Sequence, residues 1–359
     1  MRRLSSFRGA SRISLRWQSV FSVALILAGI AFGADEQSAN SISREVKDIF
    51  DKSRAAVVKI HAVDPHGELC GTGFFVDPTG TLYTAYSVGG EAENFTVEFK
   101  GKKIPARQLV ADIRSGLAIL KIDSMTPELP IGKSDQMEVA TPVVSIGFPL
   151  DLGETANFGM IAGFDRKYLG HYFSTIHLRA NLPTQRGEAG APLLNFKGEV
   201  VGIVVSSLEN NSSCYAIPIE AAEKVRNDFV RFGEVRHGWI GIDVAEAAEP
   251  VAGSRAEMTN ILPDTPAADS GVKEGDILIQ IGQKPIRQPE DVIDASFFIT
   301  AGDTVPITVM RGDQKLTFNI QADLHPSSKD IPILTDGSLP AMSNRAIPLN
   351  LRSAPQRTP

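Results

Sequence analysis

Between Ala55 and Pro218, apolar residues recur at every second position or in short unbroken runs, and turn residues separate the runs. The runs read "AVVKIHAV", "GTGFFVD", "TLYTAY", "NFTVEFK", "LAILKID", "PVVSIGF", "GEVVGIVVSS" and "CYAIP". Alternation of period two, β-branched content and Gly/Pro/Asp punctuation at this spacing predict a β-barrel or sandwich. "DPTG", Asp77 to Gly80, places proline second in a turn and predicts that "GTGFFVD" and "TLYTAY" form a hairpin.

The period then lengthens. In "PIEAAEKVRNDFVRFG", Ala222, Val225, Arg226 and Phe229 fall on one helical stripe and Gly233 supplies the stop. A second unit starts at His237 with "GWIGIDV" and closes with "TVPITVMRGDQKLTFNIQ". Between them, Thr265 as cap, Pro266 in the first position and Gly271 as terminator predict a short helix. "QPEDVIDASFF" predicts a second, more amphipathic one. Beyond Ala322 the chain carries Pro326, Pro332, Pro340, Pro348, Pro355 and Pro359 and no aromatic residue, a composition that cannot bury enough surface to fold.

Before the first run, Arg2, Arg3, Arg8, Arg12 and Arg16 precede an apolar stretch from about Val20 to Ala34, with Ala31 and Gly33 near its end. This is the pattern of an export signal. The stretch falls short of the ~17 residues a spanning helix needs, which favours a cleaved signal over a retained anchor. The expected organisation is therefore a signal peptide or anchor over 1–33, a first domain over 34–235, a second over 236–323 and a Pro-rich tail over 324–359. A chain of 359 residues that is 43% hydrophobic can bury the cores of two such domains.

Cleavage at residue 33 removes those arginines and no acidic residue, taking the formal charge from −6 to −11. An acidic chain without a basic tract argues against a nucleic-acid partner. An oxidising compartment permits Cys70 and Cys214 to pair, and two buried free thiols are the alternative. Neither cysteine lies in a metal-ligand spacing along the chain, and no metal or cofactor is expected.

Several pieces, taken in order, resemble the HtrA/DegP family of extracytoplasmic serine proteases, which join a chymotrypsin-like double β-barrel to one or more PDZ domains. They are "GTGFFVDPTGTLYTA", "DIRSGLAILKI", "VVSIGFPL", "RGEAGAPLLNFKGEVVGI", "YAIPIE" and "FGEVRHGWIGI", and the resemblance runs from about Ser43 to Asp323. It implies a mainly β fold, a double barrel followed by a PDZ domain.

The family's chemistry uses a serine nucleophile, a histidine that takes its proton and a carboxylate that supports the imidazolium. Aligned with the family's histidine run, "TAYSV" puts Ser87 at the histidine position; "SGLAILK" puts Gly116 at the aspartate position; "GEAGAPL" puts Ala189 at the serine position. The resemblance thus implies a protein without any of the three catalytic groups. Gly187 and Ala189 align with the backbone donors of the oxyanion hole, while Glu188 and Ala191 replace the usual asparagine and glycine. Asp112 aligns with an earlier aspartate read as a turn former, and the default reading of the histidines is surface or satisfied polar contacts.

In the second domain "WIGI", Trp239 to Ile242, aligns with the loop that receives a peptide's C-terminal carboxylate. The resemblance implies peptide contacts from Ile240, Gly241 and Ile242, facing Val292 and Ser296 on the following helix. The expected function is a catalytically inactive binder of polypeptide segments or C-termini in the cell envelope, periplasmic or secreted, with unfolded polypeptides or active relatives as partners. Rival readings are an endopeptidase with a rearranged site using a hydroxyl such as Ser87, and a structural subunit of an oligomer, for which the family implies a homotrimer.

Overall fold

In a computed structural model of the chain, residues 41–64, 67–168, 171–208 and 211–326 are described. The expected export signal and nearly all of the Pro-rich tail lie outside the described residues. A helix over residues 41–53, α1, leads into the first barrel. That barrel comprises β1 (Val57–Asp64), β2 (Gly67–Phe75), β3 (Thr81–Ala85), the short α2 (Tyr86–Gly89), β4 (Glu93–Phe99), β5 (Lys102–Pro105), β6 (Arg107–Asp112) and β7 (Leu117–Lys121). Its strands form one curled sheet in the order β5-β4-β1-β2-β3-β7-β6.

Alternation decides what faces inward. Along β4, Phe95, Val97 and Phe99 are buried while Glu93 and Asn94 face water. β3 is buried at every position, as its unbroken run requires, and pairs with β2 in the hairpin that the "DPTG" turn predicts. Asp77 holds that turn by accepting the Thr79 and Thr81 N–H groups at 2.9 and 3.2 Å.

The second barrel contains β8 (Pro142–Gly147), β9 (Thr155–Tyr168), β10 (His171–Ala180), β11 (Pro192–Leu194), β12 (Val200–Ser207) and β13 (Cys214–Pro218). It closes on itself in the order β10-β13-β12-β11-β8-β9. One core fills the first barrel, with Ile60, Phe75, Leu82 and Leu120, and another the second, with Val143, Ile161, Leu178 and Val204. A third lies between them and takes in the buried face of α3 (Ile219–Phe232), Ala222 and Val225 included. Gly233, at φ 76°, caps α3 and donates to Phe229 O.

The second domain has β14 (Gly238–Trp239), β15 (Ile242–Val251), β16 (Ser254–Ile261), β17 (Ile277–Ile281), β18 (Lys284–Pro285), α4 (Pro289–Phe297), β19 (Thr304–Arg311), β20 (Gln314–Gln321) and β21 (Asp323–Leu324). Its main sheet runs β15-β16-β17-β19-β20, so β15 is an edge strand. The capping box of Gln288 and Asp291 starts α4 as "QPEDV" predicts.

The helix expected from Thr265 to Gly271 does not form; the segment is a succession of turns. Asp264 stands at φ 58°, and Ala268 and Ser270 donate to Thr265 O and Ala267 O, three residues back. Six residues between a left-handed aspartate and a glycine at φ 91° cannot repay the cost of nucleating an α-helix, so the chain uses tight turns.

Candidate functional site

Ser87 and Ala189, from opposite barrels, line one cavity of about 540 Å³ together with Cys70, Leu150, Gln185, Gly187 and Val205. Gly116 stands close by, its carbonyl accepting the Tyr86 N–H at 2.7 Å. The fold therefore brings near one another the three positions that the resemblance expects at the triad. Gly116 is at φ 77°, and a Cβ there would meet only Val205, at ordinary contact distance. Another cavity, of about 510 Å³, lies against α3 beside Ile131, Asp228 and Phe298 and holds none of these positions.

The loop before β11 is pinned from beneath by Thr72. Its N–H donates to Ala189 O at 2.9 Å, its hydroxyl donates to Gly187 O at 2.7 Å, and the same hydroxyl accepts the Phe148 N–H at 3.1 Å. A Cβ on Gly190, at φ 88°, would overlap Thr72 O and Thr84 Oγ1, so glycine is required there. At Ala191, where the family has glycine, the Cβ is accommodated in the second barrel's core.

Glu188 occupies the buried floor of the loop. It accepts the Gln185 N–H at 2.7 Å and the Asn157 amide at 2.6 Å. Burial pushes its carboxyl above the ordinary range, against those two hydrogen bonds. The sequence marks Glu188 only as a departure from the family; Asn157, thirty-one positions earlier, carries no signal of its role.

His177, His61 and His237 are engaged elsewhere. His177 stacks on Phe173 with ring centroids 4.1 Å apart and is hydrogen-bonded to Thr175 O at 2.9 Å. His61 pairs with Glu98 at 2.9 Å. His237 is not a surface group: it is buried, with Nε2 3.0 Å from Asp112 Oδ1. Asp112 does form the expected turn, accepting the Ser115 N–H at 3.0 Å, and in addition takes this histidine from the start of the second domain.

The Asp112 carboxyl is held below its usual range although burial opposes this, because the His237 and Ser115 bonds outweigh it. Burial pushes His237 down, against the Asp112 bond and charge. Both directions fit one state, a neutral imidazole donating Nε2–H to an ionised carboxylate. The His237 Nδ1 atom is buried without a partner, as expected of the neutral ring's acceptor nitrogen.

Further contacts lock the second domain onto the first. Thr175 Oγ1 and the Ile176 N–H donate to Asp294 at 2.6 and 2.8 Å, and Arg166 pairs with Asp291 at 2.6 Å. Phe297 of α4 is fully buried in the core shared by the barrels and α3.

Cys70 and Cys214 are free thiols, so the disulfide alternative is not realised. They point into different surroundings: Cys70 Sγ lies 3.6 Å from Asp151 Oδ1, whereas Cys214 is buried in the second barrel's core. Burial and the facing Asp151 push the Cys70 thiol up to about 11, the opposite of what a nucleophile needs.

The expected peptide contacts of the second domain are mostly packed. Ile240 and Val292 belong to its buried core, Ile242 packs against that core at the start of β15, and the Ser296 hydroxyl donates to Ile293 O at 2.8 Å. Gly241 sits at φ 83°, where a Cβ would collide with the Thr265 side chain. What remains open is the edge of β15, with α4 beside it.

Residues 71–203 match the trypsin-like peptidase domain family and residues 238–322 the PDZ domain family. The chain has a trypsin-like fold with a C-terminal PDZ domain and is similar to the HtrA/DegP/DegS serine proteases. It is 28% identical over 281 residues to a probable periplasmic serine endoprotease of DegP-like type from Rhizobium meliloti, covering 74% of this chain and 56% of that protein. It is also 28% identical over 275 residues to the serine endoprotease DegS of Escherichia coli, covering 72% and 78%. The HtrA-like chain thus spans little more than half of the DegP-like relative's length and most of DegS. Among solved structures, the HtrA-type protease AlgW with a tripeptide superimposes with a TM-score of 0.66 at 23% identity, covering 78% of this chain and 97% of that one. The serine endoprotease from Yersinia pestis gives 0.58 at 26% identity, covering 78% and 98%.

Proposed function

We propose that this HtrA-like protein is an exported, non-hydrolysing binder of polypeptide segments. The observation that carries the reading is the pair Ser87 and Ala189 in one cavity, with Gly116 nearby: at the positions that the resemblance assigns to the triad, no side chain is a base or holds a charge. Serine-protease chemistry needs an activated hydroxyl, and among the described residues no base is hydrogen-bonded to Ser87. In subtilisin, loss of the nucleophile or the histidine alone lowers turnover by about 2 × 10⁶. Hydrolysis by this site is accordingly negligible.

Binding rests on different features. The PDZ domain offers the free edge of β15 to an added strand, with Gly241 and Ile242 at its start and Val292 and Ser296 on the neighbouring helix. Gly187 and Ala189 border the cavity, where an extended chain is received. The N-terminal signal pattern supports a cell-envelope location for this activity, with unfolded polypeptides or active relatives as partners and a homotrimer as the family's usual assembly.

Two assays test the proposal. The purified chain is exposed to a fluorophosphonate and read by intact mass, beside an unfolded-casein digestion; neither adduct nor cleavage is expected. A labelled library of C-terminal peptides is then titrated by fluorescence anisotropy, and saturable binding is expected. An adduct on Ser87, or no binding to any peptide, overturns the reading.

A further inference from the structure

One cluster of ligating side chains lies beside the cavity and plays no part in the function proposed above. His61 and Cys70 are paired directly opposite each other in the β1–β2 ladder, so both side chains leave the same face of the sheet. Asp151 reaches them from the second barrel, on a short turn, Pro149–Asp151, in which Leu150 and Asp151 stand at φ 51° and 61°. One ligating atom from each of the three residues lies within 4.8 Å of the others, and Cys70 Sγ is 3.6 Å from Asp151 Oδ1. A tetrahedral ion with bonds of about 2.0–2.3 Å holds its ligand atoms roughly 3.3–3.8 Å apart, so closure requires only small side-chain adjustments.

We propose that His61, Cys70 and Asp151 form a binding site for a single zinc-class divalent ion at the mouth of the cavity. A thiolate with an imidazole and a carboxylate is a soft-to-borderline donor set, which selects Zn²⁺ over Mg²⁺ or Ca²⁺. Glu98 Oε1, 2.9 Å from His61 Nε2, is the kind of carboxylate that orients a ligating imidazole or completes the coordination. His61 and Cys70 are half-buried and Asp151 is exposed, which leaves a path from solvent. The resident competitor is Lys59, whose ammonium sits 2.8 Å from Asp151 Oδ1 and must move aside.

Such an ion would join the two barrels. Leu150, next to Asp151, donates its N–H to Arg186 O at 2.6 Å and lines the cavity with Cys70. The ion would therefore staple the β1–β2 hairpin to the loop that borders Gly187 and Ala189. None of this depends on whether the cavity binds peptides.

The test uses the full chain without an affinity tag, stripped of metal and titrated with Zn²⁺ by calorimetry and with Co²⁺ by absorption. One Zn²⁺ per chain and a thiolate-to-Co²⁺ charge-transfer band are expected. Cys70→Ser should abolish the band, and His61→Gln and Asp151→Asn should each weaken Zn²⁺ binding by at least about tenfold. Lys59→Met should tighten it, and Cys214→Ser should leave it unchanged. Absence of saturable Zn²⁺ binding or of the thiolate band in the wild-type chain overturns the proposal whatever the variants do. So does Zn²⁺ binding that survives Cys70→Ser unaltered.

Discussion

Replacing His237 with alanine removes the donor to a buried carboxylate and should loosen the junction between the two domains. Asp112 Oδ1 would lose its 3.0 Å bond and keep no replacement, while Oδ2 would retain only the Ser115 N–H. Leaving a buried acceptor unsatisfied costs about 1–3 kcal/mol, and more when it is charged. The imidazole is neutral in the native state, so the larger penalty of breaking a buried ion pair, about 3–5 kcal/mol, is an upper bound. A loss near 3 kcal/mol follows. At about 2–4 °C per kcal/mol for a chain of this size, the midpoint should fall by roughly 6–12 °C.

Tryptophan emission suits the measurement, since Trp239, two residues from His237, is the only tryptophan among the described residues. A double-mutant cycle with Asp112→Ala isolates the pair, and a coupling of about 1.5–3 kcal/mol is expected for a hydrogen bond to a charged group. The pair also sets a pH dependence. His237 is lowered from 6.5 and Asp112 from 3.8, so the unfolded chain binds protons that the native one refuses. The stabilisation is complete above pH 6.5 and is lost as pH falls through the native values, and the His237→Ala chain should lack the upper part of that fall. Coupling below about 0.5 kcal/mol, within the error of independent sites, would refute the reasoning.

Other expectations concern the cavity and the PDZ domain. Glu188 carries a raised carboxyl, so its contribution to stability is full below its unfolded value of 4.5 and is lost as pH rises through its native value. Glu188→Gln, with its oxygen kept on the Gln185 N–H and the Asn157 amide turned over to accept from the new NH2, should therefore raise the melting temperature at pH 7 to 8, with the gain vanishing near pH 4. Ala189→Ser alone should form no fluorophosphonate adduct, because Ser87 and Gly116 still supply neither base nor carboxylate; intact mass reads the outcome. Gly241→Ala combines a left-handed backbone with overlap on Thr265 and should cost about 2–4 kcal/mol, lowering the thermal midpoint and abolishing any peptide binding by the PDZ domain.

Much of the architecture was legible along the chain because burial on one face of a strand or helix writes a local period. The runs predicted as strands from "AVVKIHAV" to "CYAIP" all appear, as do α3 with its Gly233 stop and α4. β9 and β10 were missed: their long, polar-rich hairpin carries Asp165, Arg166 and Lys167 where a strand signal expects apolar residues. Arg166 and Lys167 make sense only against α4, where they meet Asp291 and Glu290, and Asp165 pairs across the hairpin with Arg179. The helix expected at Thr265 failed for a local reason too, since capping chemistry was present but length was not.

The residues at the triad-aligned positions, Ser87, Gly116 and Ala189, are named through the resemblance to the family's runs, and the structure brings Ser87 and Ala189 to one cavity with Gly116 nearby. What tertiary structure decided were the pairings across distance. His237 and Asp112 are 125 positions apart and meet only when the PDZ domain docks; Glu188 becomes a buried acid only when Asn157 closes over it. The zinc-class site depends on register most of all. His61 faces Cys70 because β1 and β2 pair as they do, and a slip of one residue would send one of the two side chains to the opposite face. Periodicity along a chain states which side of an element is buried; which residues then meet is set by strand register, barrel closure and domain docking, none of which leaves a local mark.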